Sequence, residues 1–273
     1  MRMHPRACVS AISTFNLALD EDLAFWAAHD IDTVGVSVAK LERFGWVEGT
    51  RLVADAVARG LRVANLIGLG PFHLADPSQW TKQQERLLHT LDTAVAVGAE
   101  CMVFTTGPFA PLSWEEAADA LQQALKPVLT VARERKVPFA IEHTNSLRVD
   151  VGFVHTLRDA IDLARRLDTG VCMELNACWA ERGLATTIRD GVDRIRLVQV
   201  SDFSVGTVAS SQRLVPGDGD IPIARILGEL LAAGYPGFFE LELIGDAIVA
   251  EGYAAAVPRA VDALGAILRD LGA

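Results

Sequence analysis

A chain of 273 residues with 51% hydrophobic and 22% charged side chains buries a sizeable core, which excludes intrinsic disorder. A net charge of −10 and a pI near 5.1 oppose binding to nucleic acid, whose phosphates need clustered Lys and Arg, and suit a soluble enzyme acting on a small molecule. No apolar run approaches the roughly 18 residues of a membrane helix, so no membrane partner is expected. The N-terminus lacks the apolar centre of a signal peptide, and Cys8, Cys101, Cys172 and Cys178 show no CxxC spacing; a reduced, cytoplasmic protein is expected.

Strand-like and helix-like stretches alternate eight times along the chain. Strands are predicted at 7–13, 33–37, 61–67, 101–105, 137–142, 169–176, 194–202 and 238–243, and helices at 20–29, 50–59, 77–97, 113–135, 154–167, 184–191, 222–233 and 254–271. Asp20 and the Ser113-Trp-Glu-Glu run read as N-terminal caps, and Gly60, Gly98 and Gly234 as helix stops. Pro127 falls inside the fourth helix, where a kink is expected. Phe44 and Trp46 fall in the loop after the second strand. The strands are continuous apolar runs, as strands buried on both faces are. Eight βα units in about 250 residues predict a single (β/α)8 TIM barrel over 1–273, with no linker-like composition shift to divide it. A doubly wound sheet would also alternate, but no glycine-rich fingerprint follows the first strand.

Four of the later strands end in an acid or amide: Glu142 in VPFAIE, Glu174 in TGVCMELN, Gln199 and Asp202 in RIRLVQVSD, Glu240 and Glu242 in GFFELELIG. In a TIM barrel these ends form the active-site face. If Glu142 points inward so does Ala140, and if Gln199 does so do Leu197 and Ser201; Glu240 and Glu242 share one side of their strand unless a bulge intervenes. Three carboxylates converging in a low-dielectric pocket repel, so either some stay protonated or a cation binds between them. Carboxylate and amide oxygens are hard ligands that suit Mg²⁺ or Mn²⁺, and a carboxylate there also serves as a base beside a carbonyl.

At these residues the chain resembles the xylose isomerase-like TIM barrels, a superfamily of sugar-phosphate isomerases and epimerases. AIEH at the end of strand five, VQVSD at strand seven, the PGDGDI stretch and GYPGFFELE at strand eight carry the resemblance. It implies Glu142 and Glu242 as acid-base carboxylates that also bind metal, with Glu174 and Gln199 completing the metal set and Arg213 touching substrate. The family's Asp-His pair is replaced: Glu174 stands for the Asp, and Ala177 for the His three residues later. Gln199 stands where many members have a His. Family members often form dimers or tetramers, so a homo-oligomer is an expectation, although no interface is legible in these residues.

Further substrate-binding candidates are His73, in the loop after strand three, Asp202, and Trp46 and Trp179, whose faces suit stacking on a sugar ring. His143 follows Glu142 and points the other way, as a packing or supporting group. The resulting expectation is an isomerase or epimerase acting on a sugar-like hydroxy-ketone with Mn²⁺ or Mg²⁺. The alternatives are a lyase or dehydratase acting on a keto-sugar or inosose-like substrate, and a metal-free barrel that only binds a ligand.

Overall fold

The computed structural model describes residues 2–273. Eight parallel strands pair in sequence order and close into a barrel, the last hydrogen-bonding the first. They are β1 (Ala7–Ser10), β2 (Thr33–Ser37), β3 (Arg62–Ile67), β4 (Cys101–Thr105), β5 (Phe139–Glu142), β6 (Gly170–Glu174), β7 (Ile195–Val200) and β8 (Phe238–Leu241). The chain returns through α1 (Leu19–Ala28), α2 (Val38–Phe44), α3 (Trp46–Ala58), α4 (Trp80–Val97), α5 (Trp114–Arg135) and α6 (Leu157–Leu167). The remaining helices are α7 (Leu175–Cys178), α8 (Leu184–Gly191), α9 (Ile223–Ala232), α10 (Asp246–Glu251) and α11 (Tyr253–Asp270). No helix among the described residues is long and apolar enough to cross a membrane.

Two apolar layers follow from strand periodicity. Outward-facing side chains such as Val9, Val36, Leu66, Phe104 and Phe239 pack under the helices. Inward-facing Cys8, Ala64, Val103, Ala140, Cys172, Leu197 and Phe238 fill the lower lumen. Most of these are small, as a narrow eight-stranded interior demands. Toward the C-terminal ends the inward faces turn polar: Ala140 is followed by Glu142, Cys172 by Glu174, Leu197 by Gln199, and Phe238 by Glu240 and then Glu242. Register puts Glu174 beside Gln199 and Gln199 beside Glu240, so three polar side chains occupy one rung across β6, β7 and β8.

Boundaries differ from the sequence reading where side chains intervene locally. β1 stops at Ser10 because its Oγ accepts the Ile12 N–H at 3.3 Å and the chain turns into a short 3-10 segment, Ala11–Thr14. β6 stops at Glu174 because its carboxylate accepts the Asn176 N–H at 2.8 Å and starts α7. α6 starts at Leu157, with Thr156 Oγ1 accepting the Asp159 N–H at 3.1 Å. Phe44 and Trp46, expected in a loop, end α2 and begin α3 with Gly45 between them at φ 100°. The capping box Ser113–Glu116 forms as read, and Pro127 lies within a helix that runs unbroken to Arg135.

One charged pair is buried where α1 and α2 meet. Lys40 Nζ donates to Asp22 Oδ2 at 2.6 Å and to the Thr14 carbonyl at 2.9 Å, while Thr14 Oγ1 donates to Asp22 Oδ1 at 2.6 Å. Both side chains are buried, so removing either strands a charge in the core. Lys40→Met and Asp22→Asn are each expected to cost about 3–5 kcal/mol in urea unfolding, with Asp22→Leu/Lys40→Met closer to wild type. Additive losses in the double variant would show that the two charges do not compensate each other.

Candidate active site

Glu142, Glu174 and Glu242 come together at the C-terminal mouth of the barrel, each with an oxygen within 4.8 Å of the others'. They line a cavity of about 220 Å³ whose wall also includes Thr105, Asn145, Arg148, Asn176 and Ser211. That is below the roughly 300–1,000 Å³ of drug-sized sites and holds a molecule of monosaccharide scale. Wider grooves lie elsewhere, among them one of about 570 Å³ lined by Trp26, Asp30 and Arg59. The site is identified by convergent titratable groups rather than by volume.

Arg213 enters this cluster from the β7–α9 loop. Its backbone N–H donates to the Ile244 carbonyl at 2.9 Å, and Leu214 bridges to Asp202, so the loop folds back over the strand ends. The guanidinium then grips two of the acids, Nη1 on Glu174 Oε2 and Nη2 on Glu242 Oε1, the second at 3.3 Å. Burial opposes its charge, but Glu174 and Glu242 beside it hold its pKa above the ordinary arginine range. Three carboxylates thus surround one buried guanidinium, while Arg148 on the cavity wall is paired with Asp150.

The acids differ in their partners. Among the described residues Glu142 makes no ion pair or side-chain hydrogen bond, and it faces the cavity; burial, then repulsion by Glu242 and Glu174, push its pKa well above the usual carboxylate range. Glu242 is also raised, first by burial, with Arg213 working in the opposite direction. Glu174 has both oxygens engaged, by the Asn176 N–H and by Arg213. Its backbone N–H donates to His143 Nε2 at 3.2 Å. Burial, then the neighbouring His155, bring the His143 pKa down to about 3, so the ring stays neutral and supports Glu174 from behind.

A second polar layer lies beneath the floor. Gln199 is fully buried; its Nε2 donates to Glu242 Oε2 at 2.5 Å and to Glu240 Oε2 at 3.3 Å, while its Oε1 has no partner among the described residues. Glu240 is fully buried too, on the inner face of an unbulged β8, with Asn65 Nδ2 donating to its Oε1 at 2.6 Å and the Cys8 thiol at 3.6 Å. Burial pushes the Glu240 pKa up to about 8. The space exists because position 35 on β2 carries no side chain: a Cβ there would come 2.1 Å from Glu240 Oε1. Asn65, Cys8 and Gly35 escaped the sequence reading; an amide inside the otherwise apolar run VANLI was the available signal.

Glu142, Glu174, Gln199, Arg213 and Glu242 therefore converge as the sequence reading expected, although Gln199 lies under the cavity floor. Four other candidates are not on its wall. Trp46 and His73 line a neighbouring groove of about 360 Å³ between α3 and α4, where Trp46 stacks on His89 at 6.1 Å. Trp179 packs against the outer core. Asp202 accepts from the backbone N–H groups of Phe203, Gly217 and Ile221 at 2.9–3.0 Å, which spends its carboxylate on shaping the PGDGD loop.

A closed parallel barrel with an acid cluster at its C-terminal mouth defines a TIM-barrel protein whose site is built for polar ligands. Residues 23–266 match the family model of the xylose isomerase-like TIM barrel, and the chain belongs to that family. Its fold is similar to that of a protein from Sinorhizobium meliloti 1021, with TM-score 0.82, 23% identity and 98% of each chain covered. It is similar to an IolI protein solved with a bound zinc atom, with TM-score 0.85, 16% identity, and 97% of this chain and 99% of that one covered. It is also similar to a 3-keto-D-glucoside 4-epimerase from E. coli, with TM-score 0.74, 17% identity, and 97% of this chain and 99% of that one covered.

The Glu240 environment carries a pH signature. Its pKa of about 8 lies above the ordinary value of 4.5, so the stability this acid contributes is complete below about pH 4.5 and is lost as pH rises through about 8. Glu240→Gln is expected to melt with wild type at pH 5 and above it at pH 9. A melting difference that does not grow with pH would mean that Glu240 does not resist ionisation.

Proposed function

We propose that the protein is an isomerase or epimerase of a sugar-like hydroxy-ketone. The observation that carries this reading is the pairing of Glu142, unpartnered and hard to ionise, with Glu242 across one small polar cavity. A base with a raised pKa is matched to removing a weakly acidic proton next to a carbonyl near neutral pH. Glu142, once ionised, takes that proton. Glu242, hydrogen-bonded to Gln199 and Arg213, returns one to the adjacent carbon or to the opposite face. Arg213 supplies a fixed positive charge beside the developing enediolate oxygen.

A divalent ion suits the same residues. Three carboxylates with close oxygens and the orphaned buried Gln199 Oε1 form an all-oxygen donor set of the kind Mn²⁺ or Mg²⁺ takes. Glu142, Glu174, Gln199 and Glu242 would hold it. When bound, such an ion polarises a carbonyl and lowers the energy of its enediolate. The relatives support this reading by analogy, one named for epimerising a keto-glucoside and one solved with zinc.

The test is to incubate the protein with Mn²⁺ and a panel of ketoses and inososes in deuterium oxide. Incorporation of solvent deuterium without loss of water is the expected result. Loss of water with an enone-absorbing product would identify a lyase instead, and no exchange with any bound ketose would leave a ligand-binding barrel. Glu142→Gln is expected to lower exchange about 10²–10⁴-fold while keeping the wild-type melting temperature. Wild-type exchange in that variant would remove Glu142 from the chemistry.

A further inference from the structure

Gln199 is a neutral side chain clamped between two acids. Each hydrogen of its Nε2 has its own acceptor, Glu242 at 2.5 Å and Glu240 at 3.3 Å. Turning the amide over would place Oε1 against Glu242 Oε2 at a separation that only an intervening proton tolerates. Glu240 holds its side of the clamp because it is fixed in turn. Asn65 Nδ2 and the Cys8 thiol grip its other oxygen. The bare backbone of Gly35 closes the remaining side, since an added Cβ would lie 2.1 Å from Glu240 Oε1 and 2.8 Å from Asn65 Nδ2. All of these side chains are buried, and Glu240 does not line the cavity. A carboxylate so placed touches neither substrate nor solvent; its contact with the site runs through Gln199.

We propose that Glu240 is a positioning residue: seated on Asn65 and Gly35, it locks the Gln199 amide so that its nitrogen serves Glu242 and its oxygen remains free of the protein as the fourth donor of the carboxylate cluster. The donor half of this statement rests on the metal reading above; the orientation half does not. The geometry distinguishes two replacements. Glu240→Gln keeps an acceptor oxygen toward Gln199, and its new amide, in the place of Oε1, is accommodated when the Asn65 amide turns over to present Oδ1, which has no partner among the described residues in the wild type. Glu240→Leu fills similar space and offers Gln199 nothing.

Two measurements decide the matter. The first follows solvent exchange of the Gln199 side-chain amide hydrogens by NMR without metal, the signals being assigned by their loss in Gln199→Leu. Exchange is expected to be slow in wild type and Glu240→Gln, and faster in Glu240→Leu and Asn65→Leu, the second variant serving if the first does not fold. Unchanged exchange in a folded variant overturns the positioning role, whatever its melting temperature does. The second titrates Mn²⁺ calorimetrically. Affinity is expected to be retained in Glu240→Gln and to fall about 10–100-fold in Glu240→Leu, the usual loss when a group supporting a metal ligand is removed. Faster exchange with unchanged affinity overturns the donor half alone. A wild type that binds no Mn²⁺ refutes the metal reading, and the exchange data then decide orientation by themselves.

Discussion

The constraint on which this barrel's mouth depends is electrostatic. Glu142, Glu174, Glu240 and Glu242 crowd into one low-dielectric end of the lumen, and Arg213 is the buried guanidinium set among them. Four ionised carboxylates in that volume would repel by far more than one arginine offsets. The fold divides the load by depth. Near the surface Glu174 and Glu242 share the guanidinium, and Glu142 is left open to the cavity. Deeper down, Glu240 receives hydrogen bonds from Asn65, Gln199 and Cys8 that favour its charge, and burial outweighs them. Chemical availability thus falls from the mouth inward, although every acid began as the same residue type.

Backbone periodicity organises that gradient. Each contributing strand alternates its faces, so an apolar residue low in the lumen obliges the residue two further on to point inward as well. Cys172 and Glu174, Leu197 and Gln199, and Phe238 and Glu240 are successive members of single inward-facing rows. Neighbouring strands then align those rows laterally, which is why residues far apart in the chain share one rung. The lower lumen packs like any core, and the upper lumen inherits its rigidity, as a preorganised site requires.

Much of this was legible in the amino-acid order. Eight apolar runs separated by helical periodicity identify the barrel, and acids at the ends of apolar strands identify Glu142, Glu174 and Glu242. Gln199 was legible by the same rule. What escaped depends on contacts between strands distant in sequence. Asn65 lies 175 residues from Glu240, and nothing local to either announces the pairing. Asp202 misled in the opposite direction: a strand-end acid was read as a ligand-facing group, whereas the PGDGD loop curls back and absorbs its carboxylate in backbone N–H groups. Trp46 and His73 sit after the proper strands but line another groove rather than the central cavity. Strand parity says which face a residue takes; it does not say where a loop returns.

The missing side chain at position 35 has a bearing on how this lumen can vary. Gly35 has no positive φ that demands glycine, so conformation alone would accept alanine there. Volume is what forbids it, and that volume is claimed by an acid carried on the opposite edge of the seam, on a strand that does not pair with β2. Positions 35, 65 and 240 therefore form one steric set: a larger residue at 35 becomes admissible only when both Glu240 and Asn65 give way. Variation at position 35 is therefore tied to two other strands at once, β3 through Asn65 and β8 through Glu240.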